Sequence, residues 1–139
     1  MDNLKGKNGH HPRPRVLLIE DDSIMLLVLR TLLEKIGYTV DTATNATEAL
    51  IKASRGYSLI FSDVGLPGLS GIEIAKIFRA HEKKGSHTPI LGITAFSLED
   101  IRDECLEAGM DSVYGKPLNE AKLIEITAQY DSAAGEVSD

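Results

Sequence analysis

The chain has 139 residues, of which 42 % are hydrophobic and 5 % aromatic, and its formal net charge is −6. This length predicts one domain with a substantial core, and the negative charge disfavours nucleic acid and anionic membranes as partners. The single cysteine excludes an internal disulfide framework and a cysteine-based zinc site, and no apolar run is long enough for a membrane span, so we expect a cytoplasmic protein.

The polar residues 1–14 predict a flexible leader, and the small polar residues 131–139 predict a flexible tail. Between them, short apolar or β-branched runs alternate with segments of helical periodicity that begin at a capping residue. The predicted strands cover residues 15–20, 39–43, 59–63, 90–94 and 111–114. The predicted helices cover residues 22–36, 45–54, 70–82, 97–108 and 119–130.

This alternation predicts the fold class. Five strands that are each followed by a helix favour an α/β domain with a parallel, doubly wound sheet and right-handed crossovers. We expect a single domain over residues 15–130. Cys105 shares a helical face with Ile101 and Ala108, which indicates a core residue and not a nucleophile.

The first helix has more leucine than one buried face can use. Its periodicity predicts a core stripe of Met25, Val28, Leu29, Leu32 and Ile36. Leu27 falls nearly opposite that stripe, and Leu26 and Leu33 flank it. The surplus leucines therefore suggest a surface on which a partner docks.

Polar residues cluster where the predicted strands end. The carboxyl ends of parallel strands lie on one rim, and the residues collected there are Glu20, Asp21, Asp22, Asp63, Thr94 and Lys116. Several carboxylates at close range repel one another unless a cation lies among them. An oxygen-only pocket without histidine or cysteine favours a hard ion, Mg²⁺ first, with Mn²⁺ as an alternative.

The remaining rim residues suit an anionic group. Lys116 supplies a positive charge and Thr94 a hydroxyl, which is the pair expected around a phosphoryl group beside a metal. Asp63 is the central acid and is therefore the candidate nucleophile, which would form an acyl phosphate.

Three alternatives draw on the same residues. A nucleotide-binding domain needs a glycine-rich or hydroxyl-rich first loop, and here that loop is the acidic run of residues 20–22. A phosphohydrolase that uses an aspartyl phosphate needs a second acid two residues after the nucleophile, and that position is Gly65. A purely structural interaction module does not need Lys116 and Thr94, and it stays open.

Four motifs in order, LLIEDD, FSDVGLPGLSG, GITA and YGKPL, make the chain resemble a response-regulator receiver domain of two-component signalling. The resemblance covers residues 15–130 and implies the strand order 2-1-3-4-5. It implies a self-phosphorylating acceptor with slow autophosphatase activity, in a bacterial, cytoplasmic protein. It also implies roles for individual positions: Glu20 and Asp21 as the acidic pair, Asp63 as phosphoacceptor, the Gly65 carbonyl as metal ligand, Thr94 as switch hydroxyl, Lys116 as phosphate partner, and Pro117 after an often cis bond.

The resemblance further implies a partner. The segment ECLEAGMDSVYGKPL is similar to receivers of hybrid sensor kinases, so we expect a histidine kinase or a histidine-phosphotransfer domain as phosphodonor. The family docks through its first helix and fifth loop, which places the predicted docking residues at Leu26, Leu27, Leu33 and Pro117. A monomer or a weak, phosphorylation-dependent dimer is expected. A degenerate receiver that binds partners without phosphorylation is the alternative.

Two positions depart from the family pattern. Val113 stands where the family often has an aromatic residue that moves with the switch hydroxyl. Gly65 and Phe96 each follow a site residue by two positions and offer no polar group to orient water. We therefore expect an acyl phosphate that persists longer than in rapidly resetting members.

Overall fold

The computed structural model describes residues 13–66 and 68–138, and the side chains of residues 131–138 are outside that description. Most of the predicted leader, Pro67 and Asp139 therefore lie outside the described residues. The strands are β1 Arg15–Ile19, β2 Thr39–Ala43, β3 Leu59–Asp63, β4 Ile90–Thr94 and β5 Ser112–Gly115. The helices are α1 Ser23–Ile36, α2 Ala46–Ala53, α3 Gly71–His81, α4 Leu98–Glu107 and α5 Glu120–Ser138.

The five strands form one parallel sheet in the order β2-β1-β3-β4-β5. The predicted doubly wound α/β fold and its strand order are therefore confirmed. β3 lies at the centre of the sheet. All five of its residues, Asp63 included, are buried because both faces of the sheet are covered by helices.

Two hydrophobic cores lie on opposite faces of the sheet. One contains Leu29 and Leu33 of α1 with Leu123 and Ile126 of α5, packed on strand residues such as Phe61. The other contains residues of α2, α3 and α4, which are Ala49, Ala53, Ile72, Ile74, Ala75 and Cys105. Because side chains alternate along a strand, β3 turns Phe61 to the first core and Ile60 to the second. Cys105 is buried as predicted, and burial raises the pKa of its thiol.

Side-chain caps fix the starts of α1 and α3, whereas Ser97 makes no side-chain capping bond at the start of α4. The Asp22 carboxylate accepts hydrogen bonds from the backbone N–H groups of Ile24 and Met25 at 2.9 and 3.0 Å, which starts α1. Ser70 and Glu73 form a reciprocal capping box at the start of α3. Gly37 ends α1 with a φ of 127°, in the region that favours glycine.

The orientation of α1 differs from the predicted stripe. Leu29 is buried as expected, and Met25, Leu32 and Ile36 are half-buried against the same core. Val28, however, is exposed, and Leu33 is fully buried at 0 % exposure, so these two assignments were wrong. The buried arc of α1 is thus centred nearer Leu29 and Leu33 than predicted, where the helix packs on β1 and β2 with α5 beside it.

The last helix is longer than predicted. We expected it to end near Tyr130, whereas α5 continues to Ser138. Residues 131–138 contain no proline and include two alanines, and Gly135 alone among them disfavours a helix. Within the described parts of the chain, no helix combines the length and apolar character that a bilayer crossing requires.

Candidate functional site

The sheet register brings the predicted rim residues together. Ile19, the last residue of β1, pairs with Ser62, so Glu20 and Asp63 leave neighbouring strands at the same level. Asp63 pairs with Ile93 on β4, and Thr94 pairs with Gly115 on β5. The residues that follow the strand ends therefore meet at one edge, as predicted.

Three carboxylates converge at this edge. Glu20, Asp21 and Asp63 each offer an oxygen atom, and these oxygens lie within 4.8 Å of one another. Glu20 is 1 % exposed and Asp63 is 5 % exposed, whereas Asp21 lies open to solvent. The cluster therefore has a buried floor and an accessible side.

Lys116 is the cation that faces the two buried acids. Its Nζ lies 3.1 Å from Oε1 of Glu20 and 3.3 Å from Oδ2 of Asp63. Burial alone would lower the pKa of Lys116, but the pairing with Glu20 and the charge of Asp63 outweigh it, so the pKa is raised. Lys116 therefore stays charged and offsets part of the repulsion between the carboxylates.

Glu20 is the most deeply buried of the three acids. Burial raises its pKa, and the charge of Asp63 adds to this, while the Asp22 N–H and Lys116 partly oppose it. Its Oε2 accepts a hydrogen bond from the Asp22 N–H at 3.1 Å. Its Oε1 is buried and receives no hydrogen bond of acceptable geometry among the described residues, although Lys116 is close.

The charge of this cluster tests whether the residues fit a cation. Three carboxylates share one lysine, so negative charge remains, and Glu20 Oε1 is ion-paired with Lys116 without a well-oriented hydrogen bond. A hard divalent ion would offset that charge. The donor set supplies only oxygens, which suits Mg²⁺. The residues present therefore fit the predicted ion.

Asp63 is held by the loop that follows it. Its Oδ1 accepts a hydrogen bond from the Gly65 N–H at 3.1 Å, and the Val64 N–H donates to the Ile93 carbonyl at 2.9 Å. Gly65 is exposed at the mouth of the site and borders the half-exposed ring of Phe96, which lies 3.5 Å from the position a Cβ would take there. The role of the Gly65 carbonyl as a ligand stays a prediction.

Thr94 is tied to both of its neighbours at the edge. Its hydroxyl oxygen is buried and accepts a hydrogen bond from the Phe96 N–H at 2.9 Å. Its carbonyl accepts one from the Lys116 N–H at 2.8 Å, so Thr94 and Lys116 are linked through the backbone. The bond between Lys116 and Pro117 is cis, in agreement with the resemblance.

β5 has valine at position 113, where the family often has a mobile aromatic residue. Val113 is buried in the core next to α4, and Tyr114 is half-buried on the other side of the sheet. Burial first, and then Tyr114, raises the pKa of Tyr130 to about 12. Tyr114 and Tyr130 thus belong to the packing between β5 and α5.

The predicted docking residues do not all reach the surface. Leu27 is 65 % exposed and Pro117 is exposed, whereas Leu26 is half-buried against the core and Leu33 is fully buried. Leu33 is therefore corrected to a core residue. Ile24 is more exposed than Leu27 and lies one turn before Val28, which is also exposed. The sequence did not predict Ile24 as a docking residue, because only the surplus leucines were interpreted in that way.

Sequence reasoning also missed Gly71, the first residue of α3. A Cβ at this position would lie 2.3 Å from the carbonyl oxygen of Asp63. The signals in the sequence were that Gly71 closes the motif FSDVGLPGLSG and that it directly follows the capping Ser70, where a better helix former is usual.

Comparison with known proteins shows the family. The family described as "Response regulator receiver domain" matches residues 16–128. The hybrid signal transduction histidine kinase F of Dictyostelium discoideum is 36 % identical over 126 residues, which cover 88 % of this chain and 11 % of that protein. The chain thus spans a small part of the length of this curated relative.

Solved structures agree with this assignment. The chemotaxis response regulator CheY4 of Vibrio cholerae superposes with a TM-score of 0.78 at 28 % identity, covering 86 % of this chain and 99 % of that one. A second structure is the receiver domain of the sensor histidine kinase PA1611 of Pseudomonas aeruginosa PAO1, which has a magnesium ion coordinated in its active site cleft. It superposes with a TM-score of 0.77 at 32 % identity, covering 86 % of this chain and 98 % of that one. The match over residues 16–128, together with this fold and this acidic edge, means that the chain belongs to the response regulator receiver family.

Proposed function

We propose that the domain, residues 15–130, accepts a phosphoryl group on Asp63 from the phosphohistidine of a partner. In this step the phosphorus–nitrogen bond of the donor breaks, a bond forms between phosphorus and an Asp63 oxygen, and the histidine leaves with its electron pair. The observation that supports the proposal most directly is the position of Asp63, a buried carboxylate 3.3 Å from a lysine at the open edge of the sheet.

The acidic cluster supports a dependence on Mg²⁺. Glu20, Asp21 and Asp63 would hold the ion, with the Gly65 carbonyl as a further ligand. When bound, Mg²⁺ would neutralise negative charge on the phosphoryl group during its transfer. The chain's own residues do the rest: Asp63 attacks, Lys116 pairs with the incoming anion, and the Gly65 N–H restrains the Asp63 carboxylate.

Thr94 and Lys116 form the proposed switch. In this structure the Thr94 hydroxyl accepts from the Phe96 N–H, so its own proton is free to be donated to a phosphoryl oxygen after a rotamer change. The Thr94 carbonyl is bonded to the Lys116 backbone, which joins any movement at one residue to the other. Buried Val113 implies that the switch works here without an aromatic residue at that position.

The proposed partner is a histidine kinase or a histidine-phosphotransfer domain. The apolar residues Ile24, Leu27 and Val28 are exposed on α1, which begins two residues after Asp21, and Pro117 is exposed next to Lys116. An apolar patch bordering an acceptor site is a suitable surface for a helical donor. The name of the Dictyostelium discoideum relative, a hybrid signal transduction histidine kinase, supports the proposal that this domain is the receiver part of such a kinase. A bacterial source and a cytoplasmic location stay predictions, since one relative is from Dictyostelium discoideum.

Chemical trapping tests the acceptor. An aspartyl phosphate is an acyl phosphate, and borohydride reduces it to an alcohol, which converts the side chain to homoserine. We expect the peptide that contains residue 63 to show this change after incubation with phosphodonor and Mg²⁺. Reduction at another carboxylate would reject Asp63 as the acceptor. An absence of any reduced peptide would favour a receiver that binds its partner without phosphorylation.

A further inference from the structure

We propose that Gly71 is a positioning residue for the cation at this site. Its lack of a side chain lets α3 lie directly against the backbone that follows Asp63, and this contact sets the geometry of Asp63 and Gly65. The consequence for phosphorylation rests on the function proposed above. The consequence for cation binding rests on the proposed Mg²⁺ site but not on phosphorylation, because it follows from the position of the ligands.

The space at Gly71 is closed on the side where a Cβ would point. That atom would lie 2.3 Å from the carbonyl oxygen of Asp63, 3.0 Å from the Val64 Cα and 3.1 Å from the Asp63 carbonyl carbon. All three neighbours are backbone atoms, so no side-chain rotation relieves the overlap. Gly71 is not among the glycines with positive φ, so the position requires glycine for space and not for backbone conformation.

The backbone that Gly71 touches is fixed from both sides. The Val64 N–H donates to the Ile93 carbonyl on β4 at 2.9 Å, and the Val64 carbonyl accepts from the Gly71 N–H at 3.1 Å. The start of α3 therefore closes the base of the loop of residues 64–70. The capping box of Ser70 and Glu73, with distances of 3.0 and 3.3 Å, holds the helix start in that place.

A side chain at position 71 would displace this loop at its base. To restore an ordinary contact, α3 and the backbone after Asp63 must separate by roughly 1 Å, and such a displacement of functional groups typically costs about a hundredfold in a reaction. Gly65 lies in the moving segment, and its N–H donates to Oδ1 of Asp63 at 3.1 Å. Because Mg²⁺ demands near-ideal ligand positions, its affinity should fall with this movement.

A general loss of stability must be separated from this effect, and the chain offers a matched control. Gly56 has a φ of +88°, and no atom lies within 4 Å of the position its Cβ would take. Gly56→Ala therefore strains the backbone by about 1–2 kcal/mol without a new contact. It precedes β3 at the end of the sheet opposite Asp63. Gly56→Ala thus destabilises the fold but leaves the site unchanged.

The experiment measures Mg²⁺ affinity of the full chain by isothermal titration calorimetry, at a temperature where circular dichroism shows each variant folded. Gly71→Ala should weaken Mg²⁺ binding about tenfold or more. Gly56→Ala should bind Mg²⁺ with an affinity within about twofold of the wild type, since it loses stability as Gly71→Ala does but has no new contact near the site. Wild-type affinity in Gly71→Ala, or an equal loss in Gly56→Ala, would overturn the proposal.

A second pair of variants keeps the test decisive if Gly71→Ala does not fold. Ser70→Ala removes the capping box at the start of α3. Asn45→Ala removes the cap of α2, where the Asn45 side chain accepts a hydrogen bond from the Glu48 N–H and not from a site residue. Each cap is worth about 1 kcal/mol, so the two variants should be similarly stable. Only Ser70→Ala should weaken Mg²⁺ binding. Equal affinity in the two variants would show that the seat of α3 does not control the site.

Failure of this proposal differs from failure of the proposed function. A wild-type protein that binds Mg²⁺ but accepts no phosphoryl group contradicts the function and leaves the Gly71 comparison intact. A Gly71→Ala protein with normal Mg²⁺ affinity contradicts the positioning role, whether or not it is phosphorylated. A wild-type protein that does not bind Mg²⁺ contradicts both.

Discussion

Lys116 and Asp63 are ion-paired across the open edge of the sheet, with Nζ 3.3 Å from Oδ2. The same nitrogen lies 3.1 Å from Glu20, so one lysine stands between the two buried acids of the cluster. Lys116 is therefore a competitor of a divalent cation for these carboxylates and, at the same time, the partner expected for an incoming anion.

These two roles predict opposite effects of one substitution. Lys116→Met keeps the length of the side chain and removes its charge. Mg²⁺ should bind several-fold more tightly, because the lysine no longer competes with it for the carboxylates. Phosphorylation by a small donor should slow by about tenfold or more, because the anion loses its pairing charge. Lys35→Met is the control, since Lys35 pairs with Glu120 on α5 at 3.1 Å and does not border the site. Weaker Mg²⁺ binding in Lys116→Met would contradict this account.

Leu27 gives a test of partner docking. Leu27→Asp should slow phosphotransfer from a partner phosphohistidine by about tenfold or more, because it places a charge in an apolar contact. Labelling by a small phosphodonor and Mg²⁺ binding should not change. Ile51→Asp on α2 is matched, since Ile51 is similarly exposed at 59 % but lies on the other side of the sheet. An equal slowing by both donors, or the same effect in Ile51→Asp, would place docking elsewhere.

Gly65 gives a test of the lifetime of the acyl phosphate. The site mouth is formed by Gly65 and the ring of Phe96, neither of which orients water. Gly65→Asn should shorten the lifetime, because the Cβ would meet Phe96 at an ordinary 3.5 Å and the amide could then orient an attacking water. Decay of radiolabel on the purified protein measures this. A wild-type half-life of seconds would show that the apolar mouth does not protect the phosphoryl group.

Tyr57 gives a prediction of pH dependence away from the site. Its hydroxyl donates to Asp41 at 2.7 Å, and this bond is the main cause of the lowered pKa of Asp41. An acid whose pKa is lowered by folding stabilises the protein above its ordinary pKa. This stabilisation is lost as the pH falls through the pKa of the folded state. Tyr57→Phe should therefore cost about 1 kcal/mol in free energy of unfolding at neutral pH, and the difference should shrink in acid.

The tyrosine itself titrates in the opposite sense. Burial, and then the bond to Asp41, raises the pKa of Tyr57 to about 12, so its contribution is present below its ordinary pKa and is lost as pH rises through the folded value. Tyr57→Phe should remove tyrosinate absorbance that appears near that pH. Denaturant titrations at neutral and acidic pH measure the stability effect, and equal stability of the two proteins at neutral pH would contradict it.

The sequence was sufficient to predict the sheet edge. Asp63 and Thr94 end short strands and Glu20 and Lys116 directly follow short strands, and in a parallel sheet such residues must share one edge. The helix starts were also predictable, because caps such as Asp22 and Ser70 act on backbone groups within three residues.

Other features depend on which element lies opposite. Leu33 is buried and Val28 exposed because the sheet and the neighbouring helix set the orientation of α1, and the periodicity of one helix does not specify where its neighbours lie. The role of Gly71 has the same origin, since it depends on how closely α3 approaches the backbone after Asp63. Long-range packing of this kind is decided by the whole fold and leaves little local signal.

Intact mass after incubation with Mg²⁺ and a small phosphodonor tests the central claim most directly. The wild-type protein should gain one phosphoryl group, the gain should require Mg²⁺, and Asp63→Asn should show none. A gain that persists in Asp63→Asn would place the acceptor at another residue, and no gain in the wild type would contradict phosphoacceptor function for this domain.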